Sequence, residues 1–177
     1  MIIHLKIFYE RLILLNNIKK MSQKTNAARI LDNENISYEL KEYEVDENDL
    51  SAEHVAETLG ISPEKIYKTL ILKGQKDPYL VAVIPGNAQL DLKKIAKVSG
   101  NKNCEMLQLK DLLNVTGYIR GGCSPIGMKK LLPTYIEEIA SLEDEIIISA
   151  GKRGLQIIIN PMDLQHVISA TFADLCH

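Results

Sequence analysis

The chain has 177 residues, 46% hydrophobic and 25% charged, proportions that suit one soluble domain with its own core. Its formal net charge of -2 speaks against coating nucleic acid by bulk charge, while leaving room for a local basic face. Cys104, Cys123 and Cys176 show no CxxC spacing, and His4, His54, His166 and His177 are scattered, so neither a disulfide framework nor a metal site is expected and a reducing cytoplasm fits best.

Residues 1–20 differ in character from the rest. Their apolar run is interrupted by Lys6, Glu10 and Arg11, which makes it too short and too charged for a membrane span, and no small-residue cleavage site follows it. We expect an N-terminal extension outside the ancestral domain, with residues 21–177 forming that domain.

From Thr25 the pattern Ala27, Ala28, Ile30, Leu31 predicts a helix capped by Thr25 or Asn26. Residues 37–45 read as a strand with Tyr38 and Leu40 on one face. Tyr43 and Val45 fall on the opposite parity, which predicts a bulge near Lys41 and Glu42. Ser51 caps the next helix, Gly60 ends it, and Pro63 opens a further short turn. Residues 66–72 and 79–84 flank Gly74-Gln75-Lys76-Asp77-Pro78, a hairpin signal. The second run is apolar without alternation, so it is expected to be central and buried on both faces. Lys68 shares parity with Leu70 and Leu72, and an ammonium pointing toward covered space needs an anion or a ligand.

Asp91 caps a helix that Gly100 ends. Residues 103–107 form a short strand and 109–115 a short helix, which leads into Thr116-Gly117-Tyr118-Ile119-Arg120-Gly121-Gly122-Cys123-Ser124-Pro125-Ile126-Gly127-Met128-Lys129-Lys130. Gly121 and Gly122 permit close backbone approach and Pro125 restrains its neighbour, so several N–H groups here can converge as an anion or oxyanion nest. Strands at 134–136, 145–149 and 155–159 follow, with Ala150-Gly151-Lys152-Arg153-Gly154 as a hairpin tip, and Asn160-Pro161 caps a last helix. About seven short strands among helices predict a mixed α+β domain around a curved, barrel-like sheet. Bases cluster at Lys93, Lys94, Lys97 and Lys102, at Arg120, Lys129 and Lys130, and at Lys152 and Arg153, a distribution that supports a local basic face.

Lys68-Thr69-Leu70, Leu90-Asp91-Leu92-Lys93-Lys94, Thr116-Gly117-Tyr118, Gly121 through Gly127, Leu132-Pro133-Thr134 and Ser149 through Leu155 together resemble the YbaK family of aminoacyl-tRNA deacylases, relatives of the editing domain of bacterial prolyl-tRNA synthetase. The resemblance runs from about Lys24 to Asp174. It implies a trans-editing hydrolase of mischarged tRNA, typically Cys-tRNA(Pro), working without metal or other cofactor and often in association with prolyl-tRNA synthetase. By position, Tyr43 and Lys68 match the family's pocket tyrosine and lysine, and Gly121 through Pro125 match its glycine-to-proline loop.

These matches define the expected site. Lys68, Gly121, Gly122 and Ser124 are the expected catalytic set; Tyr43, Thr69, Tyr118, Pro125 and Gln156 the substrate-binding set; Lys93, Lys94, Arg120, Lys129, Lys130, Lys152 and Arg153 the tRNA-binding set. Gln156 stands where several members carry aspartate. That departure supports the alternative of a catalytically weak module that binds tRNA or prolyl-tRNA synthetase. A nucleotide hydrolase is the weaker rival, because Gly127-Met128-Lys129-Lys130 has no GxxxxGK[ST] frame. Cys123 is not expected to be a nucleophile, since no histidine lies near it in sequence to serve as its base.

Overall fold

The structure is a computed structural model that describes residues 24–177, so the expected extension at 1–20 lies outside the described residues. The elements in chain order are α1 (Asn26–Asn33), β1 (Tyr38–Glu42), α2 (Ala52–Leu59), β2 (Tyr67–Gly74), β3 (Leu80–Pro85), α3 (Leu92–Ser99), β4 (Cys104–Met106), α4 (Leu109–Thr116), β5 (Thr134–Glu137), β6 (Ile146–Ser149), β7 (Leu155–Ile159), α5 (Pro161–Val167) and β8 (Thr171–Ala173). Short 3-10 turns occupy Pro63–Lys65 and Glu138–Leu142.

Side-chain caps set the helix starts. Thr25 Oγ1 accepts from Ala28 N at 3.3 Å and Ser51 Oγ from His54 N at 3.1 Å. Asp91 Oδ1 accepts from Lys93 N and Lys94 N, and Asn160 Oδ1 from Met162 N, so each cap satisfies amide groups that a helix leaves open at its first turn.

The strands form a three-stranded sheet, β1-β7-β6, and a five-stranded sheet, β4-β2-β3-β5-β8. In the larger one, β2, β3 and β4 are antiparallel while β5 and β8 run parallel to β3. All six residues of β3 are buried, as its unbroken apolar run predicts. β2 joins the sheets: β4 pairs with its C-terminal half at Leu72–Gly74, and a parallel bridge links Ile66, just before its N-terminus, to Ile147 of β6. The two sheets therefore curve around a common interior, but β1 and β8 do not pair and the barrel stays open.

That interior is the main core, where Ala27 and Leu31 of α1 meet Ile71, Val83, Ile136, Ile148 and Ile157. On the outer face of the large sheet, Leu72, Leu80, Ala82 and Ile84 pack with Ile95 of α3 and Leu175. On the outer face of the small sheet, α2 lays Val55 and Ala56 against Ile66 and Ile147. The alternation of β2 follows from this layering, with Tyr67 and Ile71 turned to the main core and Leu70 and Leu72 to the second.

Two expectations are corrected. No bulge interrupts β1, which keeps one register from Tyr38↔Ile159 to Glu42↔Leu155. Tyr43 simply continues the alternation: its N–H donates to Gly154 O at 3.0 Å, one step beyond the Glu42↔Leu155 pair, and its side chain packs on the outer face of the small sheet, opposite to Tyr38 and Leu40. The strand β8 was not anticipated: three residues flanked by loops carry no readable alternation, and the strand exists through its parallel pairing with β5.

Candidate active site

A cleft of ≈ 330 Å³ opens where the start of β2, the N-terminal end of α2 and the glycine segment come together. Its lining includes Lys68 and Thr69 of β2, Arg120, Gly121 and Cys123 of the glycine segment, and Tyr43, Ser149 and Gln156.

Lys68 reaches the cleft half-buried, and its Nζ donates to the Gly86 carbonyl at 2.6 Å. One acceptor uses one of the three ammonium protons, so donors remain for a ligand. Thr69, the next residue of β2, also lines the cleft; its Oγ1 is buried and has no hydrogen-bond partner among the described residues, an exception among buried polar groups. Gln156 is 5% exposed and lies in β7 between Lys41 and Ser149. It shares parity with Ile158, which packs toward α2, so the amide stands on the cleft side of the small sheet.

The glycine segment divides. Gly121 has φ +80, and a Cβ built there would meet the Leu50 side chain at 3.2 Å. Gly122 has no positive φ; its constraint is the hairpin tip, because a Cβ there would sit 3.2 Å from the backbone of Lys152 and Arg153. Gly122 is thus selected by close packing rather than by conformation. Its N–H is also spent on Ile119 O at 3.0 Å, whereas the amides of Gly121 and Cys123 have no partner among the described residues. The donor set is therefore smaller than the run 121–124.

Beyond Cys123 the segment turns away. Ser124 is fully buried, its Oγ accepting from Ile126 N at 3.2 Å. Tyr118 donates its hydroxyl to Ile126 O at 2.6 Å. Pro125, Gly127 and Lys130 line a separate groove beside α1 and α5, so Tyr118, Ser124 and Pro125 stand outside the cleft lining. Burial pushes the Cys123 thiol up to about 12, against an opposing hydrogen bond to Thr116, and a thiol held neutral is a poor nucleophile at physiological pH.

The cations differ in their commitments. Lys94 pairs with Asp174 at 2.7 Å, Lys129 Nζ caps α4 through Leu113 O at 3.1 Å, and Arg153 pairs with Glu47. Lys93, Arg120, Lys130 and Lys152 are exposed. Sequence reasoning missed Leu50 and the first turn of α2 as cleft lining. The signal lay in the cap at Ser51, which opens that helix at the cleft, but nothing local says which element it faces.

The fold is thus a mixed α+β domain with Lys68, Thr69 and the Gly121 turn lining one cleft. The chain belongs to the aminoacyl-tRNA editing domain family, whose description matches residues 46–167. It is 54% identical over 157 residues, 89% of this chain and 96% of the relative, to "Putative Cys-tRNA(Pro)/Cys-tRNA(Cys) deacylase EbsC" of Enterococcus faecalis. It is 31% identical to the proline--tRNA ligase of Thermosipho africanus over 46% of this chain and 14% of the ligase. Among solved structures, a "putative trans-editing enzyme for prolyl tRNA synthetase" shares the fold with TM-score 0.72 at 23% identity, covering 86% of this chain and 98% of that one.

Proposed function

We propose that this protein is a hydrolase that removes a wrong amino acid from charged tRNA, with Cys-tRNA(Pro) as its principal substrate and the cleft beside Lys68 as its site. The carrying observation is the meeting of Lys68, Gln156 and the Gly121 turn in one cleft of a chain 54% identical to the Enterococcus protein named for that activity.

The chemistry asks little of the protein. An aminoacyl ester is already reactive, so the rate comes from holding the terminal adenosine and the carbonyl in place and from donors aimed at the developing oxyanion. The amides of Gly121 and Cys123 are the donors in this reading, and Lys68 binds the terminal phosphate or the carbonyl region. The substrate's own thiol attacks its carbonyl carbon: a C–S bond forms, the ester C–O bond breaks, the thiol proton passes to the departing ribose hydroxyl, and water then opens the resulting thiolactone to free cysteine, which leaves Cys123 without a covalent role. Tyr43, Thr69 and Gln156 fit the amino-acid end, and the exposed Lys93, Arg120, Lys130 and Lys152 follow the acceptor backbone. A separate editing site is the expected remedy where a synthetase pocket separates small side chains by only about 10 to 200-fold.

In this reading residues 21–177 are sufficient, and a chain beginning at Met21 hydrolyses at the full-length rate. Prolyl-tRNA synthetase is the proposed partner, a reading supported by the similarity to a proline--tRNA ligase. The proposed site of action is the cytoplasm; no helix among the described residues is long and apolar enough to cross a membrane.

The test is a panel of proline tRNAs charged with Cys, Ala, Ser and Pro, each offered to catalytic amounts of enzyme. Preferential release of cysteine supports the reading; equal release of all four contradicts the assigned substrate. The second reading, a module that binds charged tRNA without hydrolysing it, is favoured by Gln156, which stands where the family resemblance leads one to expect aspartate. Protection of every ester in the panel would establish it.

A further inference from the structure

Between β1 and α2 the chain runs along the mouth of the cleft, to which Tyr43, Leu50 and Ser51 contribute lining. This segment is stiffened internally: Asp46 Oδ1 accepts from Asn48 N at 2.9 Å, and Asp49 Oδ1 accepts from Ser51 N at 2.9 Å. Such turns fix local shape without fixing where the segment sits. Its seat is the hairpin tip between β6 and β7. Tyr43 N donates to Gly154 O at 3.0 Å, Val45 lies so close that a Cβ on Gly154 would be 3.1 Å from its Cγ2, and Glu47 pairs with the Arg153 guanidinium.

Arg153 also faces the other way, its Nε donating to Arg120 O at 3.0 Å. One guanidinium therefore joins the 43–50 segment, the hairpin tip and the glycine segment. The backbone of Arg153 is itself pressed against Gly122, and Leu50, at the far end of the tethered segment, rests on Gly121. Among the described residues, the Glu47 pair is the one ion pair that leaves residues 43–50. The Arg153 side chain is 28% exposed. The neighbouring Lys152 is exposed and makes no side-chain hydrogen bond or ion pair among the described residues. Adjacent cations on one turn are thus in different situations, one committed to protein acceptors and one open to a phosphate.

We infer that Glu47 and Arg153 are positioning residues for deacylation. The pair holds Leu50 against Gly121 and Tyr43 in the cleft, so that the Gly121 turn keeps its aim, and Arg153 acts on substrate through Arg120 and the glycine segment rather than by gripping the tRNA backbone. This inference rests on the proposed deacylase reading for its catalytic consequence. A planar guanidinium with several fixed donors suits a three-way tie that a single ammonium would not span.

The test uses the full chain, cysteine-charged proline tRNA and the uncharged tRNA. Glu47→Gln is expected to lower kcat about two- to fivefold, the scale of an exposed ion pair, and Arg153→Ala by about tenfold because it also breaks the bond to Arg120. The double variant should be no slower than Arg153→Ala, since Glu47 works only through Arg153. The slope of log Kd for uncharged tRNA against log salt should stay at the wild-type value in both single variants, whereas Lys152→Ala should flatten it by about 0.7 to 0.9, the change for one lost phosphate contact. A flattened slope for Arg153→Ala with a silent Glu47→Gln would overturn the inference and return Arg153 to the tRNA-binding set. If the wild-type chain fails to hydrolyse any charged tRNA, the deacylase reading falls, and amide exchange of residues 43–50 then decides the pair. Faster exchange in both variants upholds the tether; unchanged exchange refutes it.

Discussion

The two halves of the glycine segment are adjacent in sequence and do different work. Arg120, Gly121 and Cys123 face the cleft, while Ser124 and Ile126 are buried and Pro125 looks into another groove. The second half is clamped, in part by Tyr118 from ahead of the cleft residues. Tyr118 Oη and Ser124 Oγ both bond the backbone of Ile126, and the 0–1% exposure of Ser124 and Ile126 anchors the turn from which the first half projects. A motif contiguous in the chain is therefore part site and part support, and substitutions on its two sides should separate turnover from stability.

The largest effect is expected at Gly121. Alanine there must hold φ +80 and displace Leu50 from 3.2 Å, so it re-aims the donor turn. Kcat should fall by about a hundredfold, the scale of a reacting group misplaced by about 1 Å, with a lowered Tm as well. Gly121→Ala at wild-type rate would break the division drawn above.

Lys68→Ala should come next, with deacylation reduced ~10 to 100-fold, as expected for one charge-assisted contact, and Tm near wild type because the ammonium is half-buried and replaceable by water at Gly86 O. Lys68→Arg should rescue only in part, since a planar fork is not a point charge. A Lys68→Ala chain that unfolds while keeping its rate per folded molecule would make the lysine structural.

Ser124→Ala and Tyr118→Phe should show the opposite pattern. Each removes one buried hydrogen bond, worth about 0.5 to 1.5 kcal/mol, and should lower stability in denaturant unfolding while leaving kcat within about twofold, a difference below 0.5 kcal/mol. A large loss of kcat at unchanged stability would move these residues into the site.

Much of this was legible in the sequence. The caps at Ser51, Asp91 and Asn160, the buried run of β3 and the hairpin tip at 150–154 are local signals, and each reappears in the structure. The division at Cys123 was not legible, because it depends on which surfaces α1, α5 and residue Leu50 bring to the loop. Parity placed Lys68 with Leu70 and Leu72 but could not reveal Gly86 O as its partner, a contact across 18 residues. The commitments of Lys94, Lys129 and Arg153 to protein acceptors were hidden for the same reason: charge clusters read from sequence do not show their tertiary partners.

The smallest effect is expected at Cys123. Its thiol, pushed up to about 12 by burial, stays protonated at physiological pH, so Cys123→Ala should keep most hydrolysis of Cys-tRNA(Pro). Alkylation of this thiol should be far slower than that of a free cysteine near pH 8, because burial holds it protonated there. Blocking the substrate thiol, by contrast, should abolish most turnover.

The most direct measurement is multiple-turnover release of cysteine from Cys-tRNA(Pro) by the full chain at about one-hundredth of the substrate concentration, run beside Lys68→Ala and Ser124→Ala. The account predicts complete release by the wild type, release at near wild-type rate by Ser124→Ala, and a slowing of at least ~10-fold for Lys68→Ala. Release no faster than spontaneous hydrolysis, or equal rates for wild type and Lys68→Ala, would contradict the assignment of the cleft as the site of deacylation.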